Sequence, residues 1–230
     1  IYTRLSNPTT AVLEKRIAAL ERGAATVAFA SGMAAILALV TCLAESGSEI
    51  LSITTVYGGT YTLFASRLEK SYGIRARLVD PEDLAGLEAA INDKTRLVYV
   101  EAIGNPNINI PDLEAIAAIA HRHGLPVAVD NTFGTPYLLD AKAHGMDFTV
   151  HSLTKYMGGH GNSMGGSVTD LGTFRFQGNP RFAAFNQPDE SYHGLVYADL
   201  GEQGFATRLR GCVLRDTGAA LSPFNAYLLL

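Results

Sequence analysis

The sequence predicts an α/β fold, a mostly parallel central sheet with helices on both faces, on three observations. Short apolar runs alternate regularly with longer segments whose apolar residues recur every three or four positions. Several of the short runs, such as "TVAFAS" and "PVAVD", are apolar almost throughout, which marks strands buried on both faces. Strand and helix candidates alternate one for one as far as "DFTVHS", the order of a parallel sheet covered on both faces.

Taken in order, residues 12–22 ("VLEKRIAALER") place apolar groups at 12, 13, 17 and 20, a helical spacing closed by Gly23. "TVAFAS" reads as a strand, and "GMAAILALVTCLA" after it as an almost wholly apolar, buried helix. Strand "EILSIT" precedes helix "YTLFASRLEKSYG", and strand "RARLV" precedes helix "PEDLAGLEAAI", with Pro81 expected in the first turn. Strand "TRLVYVEA" precedes helix "DLEAIAAIAHRHG", whose Asp112 and Glu114 suit a positive helix end. "PVAVD" then leads through a short helix to strand "DFTVHS". From about 170 to 222 the pattern weakens, and the segment is expected to be a long functional loop rather than a second domain.

The 230 residues, 47% hydrophobic and 17% charged, suffice for one sizeable core. A formal net charge of −4 gives nucleic acid and anionic membrane surfaces nothing to hold, so neither is expected as a partner. No apolar run reaches the roughly 18 residues of a membrane span. Cys42 and Cys212 lie in apolar surroundings without paired spacing, which points to a reduced, cytoplasmic compartment. The first residue is Ile1 and the last stretch ends inside an apolar segment, so the expectation is an internal piece of a longer protein.

In a parallel sheet, ligands gather at the carboxyl ends of the strands. The residues there are Ser31-Gly32-Met33, Tyr57, Glu101 with Asn105, Asp130-Asn131, and Ser152 to Lys155. Gly32 and Met33 open a helix whose first amides lack internal partners, so they can bind a phosphate. Asp130, at the end of an apolar strand, is costly to bury unless a cation such as a protonated ring nitrogen meets it. Ser152 and Thr154 can donate to phosphate oxygens, and Lys155 can attack a carbonyl carbon. Phosphate-binding amides, an aspartate for a pyridinium nitrogen and a lysine for an aldehyde together describe pyridoxal 5'-phosphate.

Two other readings fail on missing parts. Ser152-Leu-Thr-Lys155 fits S-x-x-K, the mark of serine-acylating enzymes, but S-D-N and K-T-G are absent. His121 and His123 stand two apart on a helix, on different faces, and make a polar helix end rather than a metal pair; no metal is expected.

The segments "YTRLSNPTTAVLEKRIAALERG", "FASGMAAI", "VYGGTYTLF", "SYHGLVY" and the whole run 101–166 resemble the Cys/Met-metabolism family of fold-type I pyridoxal-phosphate enzymes. Within it the chain is most similar to the O-acetylhomoserine sulfhydrylase branch. The resemblance covers essentially the full length and implies an aspartate-aminotransferase-like large domain with a seven-stranded sheet. It divides the chain into an N-terminal arm and helix (1–25) and a cofactor domain (26–230), and places the family's small domain, with its carboxylate-binding arginine, outside the sequence.

Residue by residue, the resemblance implies that Lys155 carries the cofactor and moves substrate protons, and that Asp130 keeps the ring nitrogen protonated. It implies that Tyr57 stacks on the ring near the leaving group, and that Gly32, Met33, Ser152 and Thr154 cradle the phosphate. Asn105 would lie near the ring hydroxyl, with Glu101 in the same site. Tyr2 and Arg4 would reach the phosphate of a neighbouring subunit, making the site a property of a homodimer or homotetramer. The implied reaction is γ-replacement on O-acetylhomoserine by sulfide or methanethiol, giving homocysteine or methionine plus acetate. Cystathionine γ-synthase, γ-lyase or methionine γ-lyase chemistry on the same scaffold, or a non-catalytic fragment, are the alternatives.

Overall fold

A computed structural model describes residues 2–230. Seven strands form one sheet: β1 (Ala25–Phe29), β2 (Glu49–Ile53), β3 (Arg75–Val79), β4 (Thr95–Glu101), β5 (Val127–Asp130), β6 (Phe148–His151) and β7 (Gly166–Asp170). Their order across the sheet is β1-β7-β6-β5-β4-β2-β3. All neighbours run parallel except that β7 is antiparallel to both β6 and β1. Two reversals restore direction, so β1 points the same way as β6 and its carboxyl end lies on the same edge.

The expected alternation holds through β6. Helix α1 (Pro8–Leu20) starts earlier than its apolar spacing suggests, because Asn7 caps it and Pro8 fits the first turn. Helix α2 (Gly32–Leu43) is capped by the Ser31 hydroxyl, which accepts from the Ala34 amide at 3.1 Å. It buries Ile36, Leu39, Val40 and Leu43 against the sheet. Truncating Leu39, which is wholly buried, to Ala would cost about 2–5 kcal/mol.

Helix α3 runs over 58–72, its middle (Leu63–Arg67) wound as a π-turn and its end closed by Gly73. Pro81 lies ahead of the next helix, not in its first turn. Asp83 caps α4 (Leu84–Ala90) instead, by accepting the Gly86 amide at 2.7 Å. Asp112 likewise caps α5 (Leu113–Arg122). His121 and His123 do part company, to Asp147 and Glu88 respectively.

The C-terminal part departs from expectation. Residues 204–217 form a continuous helix, α6, with a π-turn at Leu209–Leu214. Ahead of it, Phe174, Phe176, Phe182 and Phe185 pack with Phe148 and Phe205, the rings of Phe176 and Phe185 stacked at 4.0 Å. The segment is a wedge of aromatic core, not a loop over a site. Cys212 also departs from its apolar expectation, since its sulfur lies 3.0 Å from the Tyr197 hydroxyl; both cysteines are free thiols. No helix of the described residues is long and apolar enough to cross a membrane.

Candidate active site

At the carboxyl edge of the sheet a cavity of about 390 Å³ is walled by Ser31, Gly32, Met33, Tyr57, Glu101, Asn105, Asp130, Thr132, Ser152, Thr154 and Lys155, among others. Residues from five separated stretches of sequence thus meet in one space. A second, apolar groove of similar size, between α1 and the 135–157 region, holds none of these side chains.

One wall is the start of α2. Among the described residues, no protein acceptor meets the Gly32 and Met33 amides, so both stay available to an anion. Their close approach to the opposite wall depends on two glycines. A Cβ on Gly32 would stand 2.8 Å from Cβ of Ser152, and one on Gly166 would stand 2.1 Å from the Ser31 carbonyl oxygen. Ser152 and the helix start can therefore face one another across a gap only a backbone fills.

The floor is carboxylate. Asp130 ends β5 and accepts three hydrogen bonds: from the Thr132 amide at 3.0 Å, the Thr132 hydroxyl at 2.5 Å and the Tyr99 hydroxyl at 3.1 Å. Burial pushes its carboxyl up, while the Thr132 bonds and the charge of nearby His151 pull it back. Glu101 is its register partner on β4, only 5% exposed, and accepts the Tyr57 amide at 2.6 Å. That bond fixes the backbone of Tyr57, whose ring is half exposed at the cavity mouth.

The third wall is the turn after β6. The Lys155 amide donates to the Ser152 carbonyl at 3.1 Å, and the Thr132 hydroxyl accepts the Ser152 amide at 2.8 Å. Lys155 itself is exposed to the cavity and pairs with no acid among the described residues.

A family model described as "Cys/Met metabolism PLP-dependent enzyme" matches residues 1–230. The chain belongs to this family. It is 47% identical to a homocysteine/cysteine synthase of Kluyveromyces lactis and 45% identical to an O-acetyl-L-homoserine sulfhydrylase of Leptospira meyeri, each across the whole of this chain. These alignments cover 52% and 54% of those two proteins, so the chain spans about half their length. A crystal structure from Campylobacter jejuni, described as an O-acetylhomoserine (thiol)-lyase with N'-pyridoxyl-lysine-5'-monophosphate, superposes with a TM-score of 0.96 at 44% identity. That match covers 100% of this chain and 57% of the other.

This member of the Cys/Met-metabolism family gathers Gly32, Met33, Tyr57, Glu101, Asn105, Asp130, Ser152, Thr154 and Lys155 into one cavity. The Thr154 hydroxyl, in the cavity wall, also meets Gly165, donating to its carbonyl at 3.3 Å and accepting its amide at 3.2 Å, and so braces the lysine turn. Tyr2 and Arg4, expected at the phosphate of a neighbouring subunit, do not line the cavity of their own chain; the Arg4 guanidinium lies over the Tyr2 ring and donates to the Arg215 carbonyl, on an exposed surface. Two residues go beyond those expected: Thr132 in the cavity wall, and Tyr99 behind it through its hydrogen bond to Asp130. Thr132 was discoverable, two residues after Asp130 and in side-chain reach of it. Tyr99 reads in sequence as one more core aromatic.

The residues fit pyridoxal phosphate on structural grounds. Free amides face Ser152 across a glycine-made gap, a well-solvated buried carboxylate awaits a cation, and an unpaired lysine amine shares the same cavity.

Proposed function

We propose that the chain is the cofactor-binding part of a pyridoxal-phosphate enzyme that performs γ-replacement on O-acetylhomoserine, with sulfide or methanethiol as the incoming nucleophile. One observation carries the reading: Asp130, Lys155, Tyr57 and the free amides of Gly32 and Met33 face one cavity of about 390 Å³. The names of the relatives, a homocysteine/cysteine synthase and an O-acetyl-L-homoserine sulfhydrylase, support the choice of substrate.

Pyridoxal phosphate, when bound, supplies an electron sink for negative charge developed beside a substrate amino group. The rest falls to the chain. Gly32, Met33 and Ser152 would hold the phosphate, and Asp130 would keep a proton on the ring nitrogen by offering it a buried negative partner. Lys155 Nζ would hold the aldehyde end of the cofactor and, when free, would move protons at the substrate Cα and Cβ from close range. Tyr57, its backbone seated by Glu101 at the cavity mouth, would shield the ring and the leaving acetate from water. The products are homocysteine or methionine and acetate.

Tyr2 and Arg4 lie exposed and outside their own cavity, which supports a role in the site of a second copy in a homodimer or homotetramer. The setting is cytoplasmic amino-acid biosynthesis.

The test uses the full-length protein carrying this segment. Reduction with borohydride in the presence of pyridoxal phosphate should leave an adduct mapping to Lys155. O-acetylhomoserine with sulfide should yield homocysteine and acetate. An adduct elsewhere would refute the site, and 2-oxobutanoate with ammonia as the sole products would refute γ-replacement.

A further inference from the structure

Glu101 and Asp130 form a pair of buried carboxyl groups side by side on adjacent strands, in register. Neither has a partner cation within 4 Å among the described residues. Two like charges side by side, both buried from solvent, cannot both persist cheaply, so one proton belongs to the pair.

The hydrogen bonds say which member holds it. Asp130 accepts three donors, two of them hydroxyls that can turn to solvate a negative charge. Glu101 accepts one, the Tyr57 amide, on Oε1. Its Oε2 has no protein partner among the described residues and Glu101 lies in the cavity wall. A protonated carboxyl fits this division: the carbonyl oxygen accepts from Tyr57, and the hydroxyl faces the cavity.

We propose that Glu101 is kept protonated at neutral pH and acts as a neutral hydrogen-bond donor to the occupant of the cavity, while its carbonyl oxygen seats Tyr57. The site then carries one negative charge, on Asp130, matched to one ring cation. Burial and the adjoining Asp130 charge push Glu101 up to about 8, against a single opposing bond from Tyr57. The titratable and charged groups that face the pair are Tyr99 on β4, Tyr57 ahead of α3, Lys155 after β6 and His151 on β6, which acts on Asp130. Helix α2 presents only uncharged Gly32, Met33 and Ile36 to the cavity. The identity of the ligand rests on the cofactor reading; the location of the proton does not.

The experiment has two arms on the full-length protein. Infrared spectra with 13C-labelled glutamate should contain a protonated carboxyl band at neutral pH. The band should vanish in E101Q and should titrate away in wild type at alkaline pH. No such band at neutral pH, or one that survives in E101Q, overturns the proposal; if E101Q does not fold, the wild-type titration decides alone. In the second arm, pyridoxal phosphate is titrated by absorbance between neutral and alkaline pH. Wild type should lose up to about tenfold in affinity per pH unit beyond the titration, by linkage, relative to a flatter E101Q. Parallel wild-type and E101Q profiles overturn the donor role. A protein that keeps the band but binds no pyridoxal phosphate would refute the cofactor reading and leave the protonated pair standing.

Discussion

The Thr132 hydroxyl accepts the Ser152 amide at 2.8 Å while donating to Asp130, so one side chain joins the end of β5 to the turn that carries Lys155. The distance between the Asp130 carboxylate and the lysine turn is thereby set by a bond, not by packing alone. Thr132→Val keeps the shape and removes both links. A hydrogen bond to a charged group contributes about 1.5–3 kcal/mol. Affinity for pyridoxal phosphate, measured by absorbance titration, should fall at least about tenfold in Thr132→Val and much less in Thr132→Ser. Equal affinities in both variants and wild type would show the link to be idle.

Gly32 tests the wall proposed to hold the phosphate. Its missing Cβ leaves the space in which α2 approaches Ser152, and an added methyl would stand 2.8 Å from Ser152 Cβ. Gly32→Ala should therefore push the helix start from the Ser152 turn, at about 1–3 kcal/mol of overpacking. Both stability and cofactor affinity should drop, whereas pyridoxal without its phosphate should bind the variant and wild type about equally. That comparison separates a damaged phosphate site from a damaged fold.

Beneath the site, His151 Nε2 bonds Glu21 at the end of α1, both side chains essentially inaccessible. Removing one member leaves the other buried without its partner, which costs about 3–5 kcal/mol. Glu21→Ala should lower the melting temperature by roughly 10 °C in a chain of this size. Replacing the pair together by Leu should recover much of that loss. A Glu21→Ala protein as stable as wild type would mean that the pair contributes little.

Much of this architecture could be read from sequence because each of the first five strands is followed by a helix and most of the first six are apolar almost throughout, the half-exposed edge strand β3 apart. β7 is different. Its sequence, "GSVTD", is wholly buried yet mostly small or polar, because Ser167 and Thr169 lie in a polar layer with Thr26 and His151. Neither alternation nor an apolar run marks it. Helix α6 was hidden for another reason: it opens without a side-chain cap, and its π-turn at Leu209–Leu214 shifts the apolar spacing out of the 3.6-residue period. The gathering of the site followed the strand ends and so was legible. The brace that the Thr154 hydroxyl makes with Gly165 was not, because a hydroxyl near a lysine turn serves an anion or the turn itself equally well in sequence.

Asp170, at the end of β7, makes the stability of the chain depend on pH in a direction opposite to that of a paired carboxylate. Burial pushes its carboxyl from 3.8 up to about 7, with the nearby charges of Asp147 and Glu202 adding to the rise. The folded state thus holds a proton that the unfolded chain has released, and between these values unfolding loses proton binding. Stability from this group is full below about pH 4 and declines as pH rises toward 7, where a charged carboxylate must stay buried. Asp170→Asn keeps an acceptor for the Gly172 amide, 2.8 Å away, and removes the ionisation. The variant should gain on wild type steadily from pH 4 to 7 in urea unfolding, with a ceiling on the order of 4 kcal/mol. A constant difference across that range would show that Asp170 ionises alike in both states, and a difference that shrinks with rising pH would reverse the sign argued here.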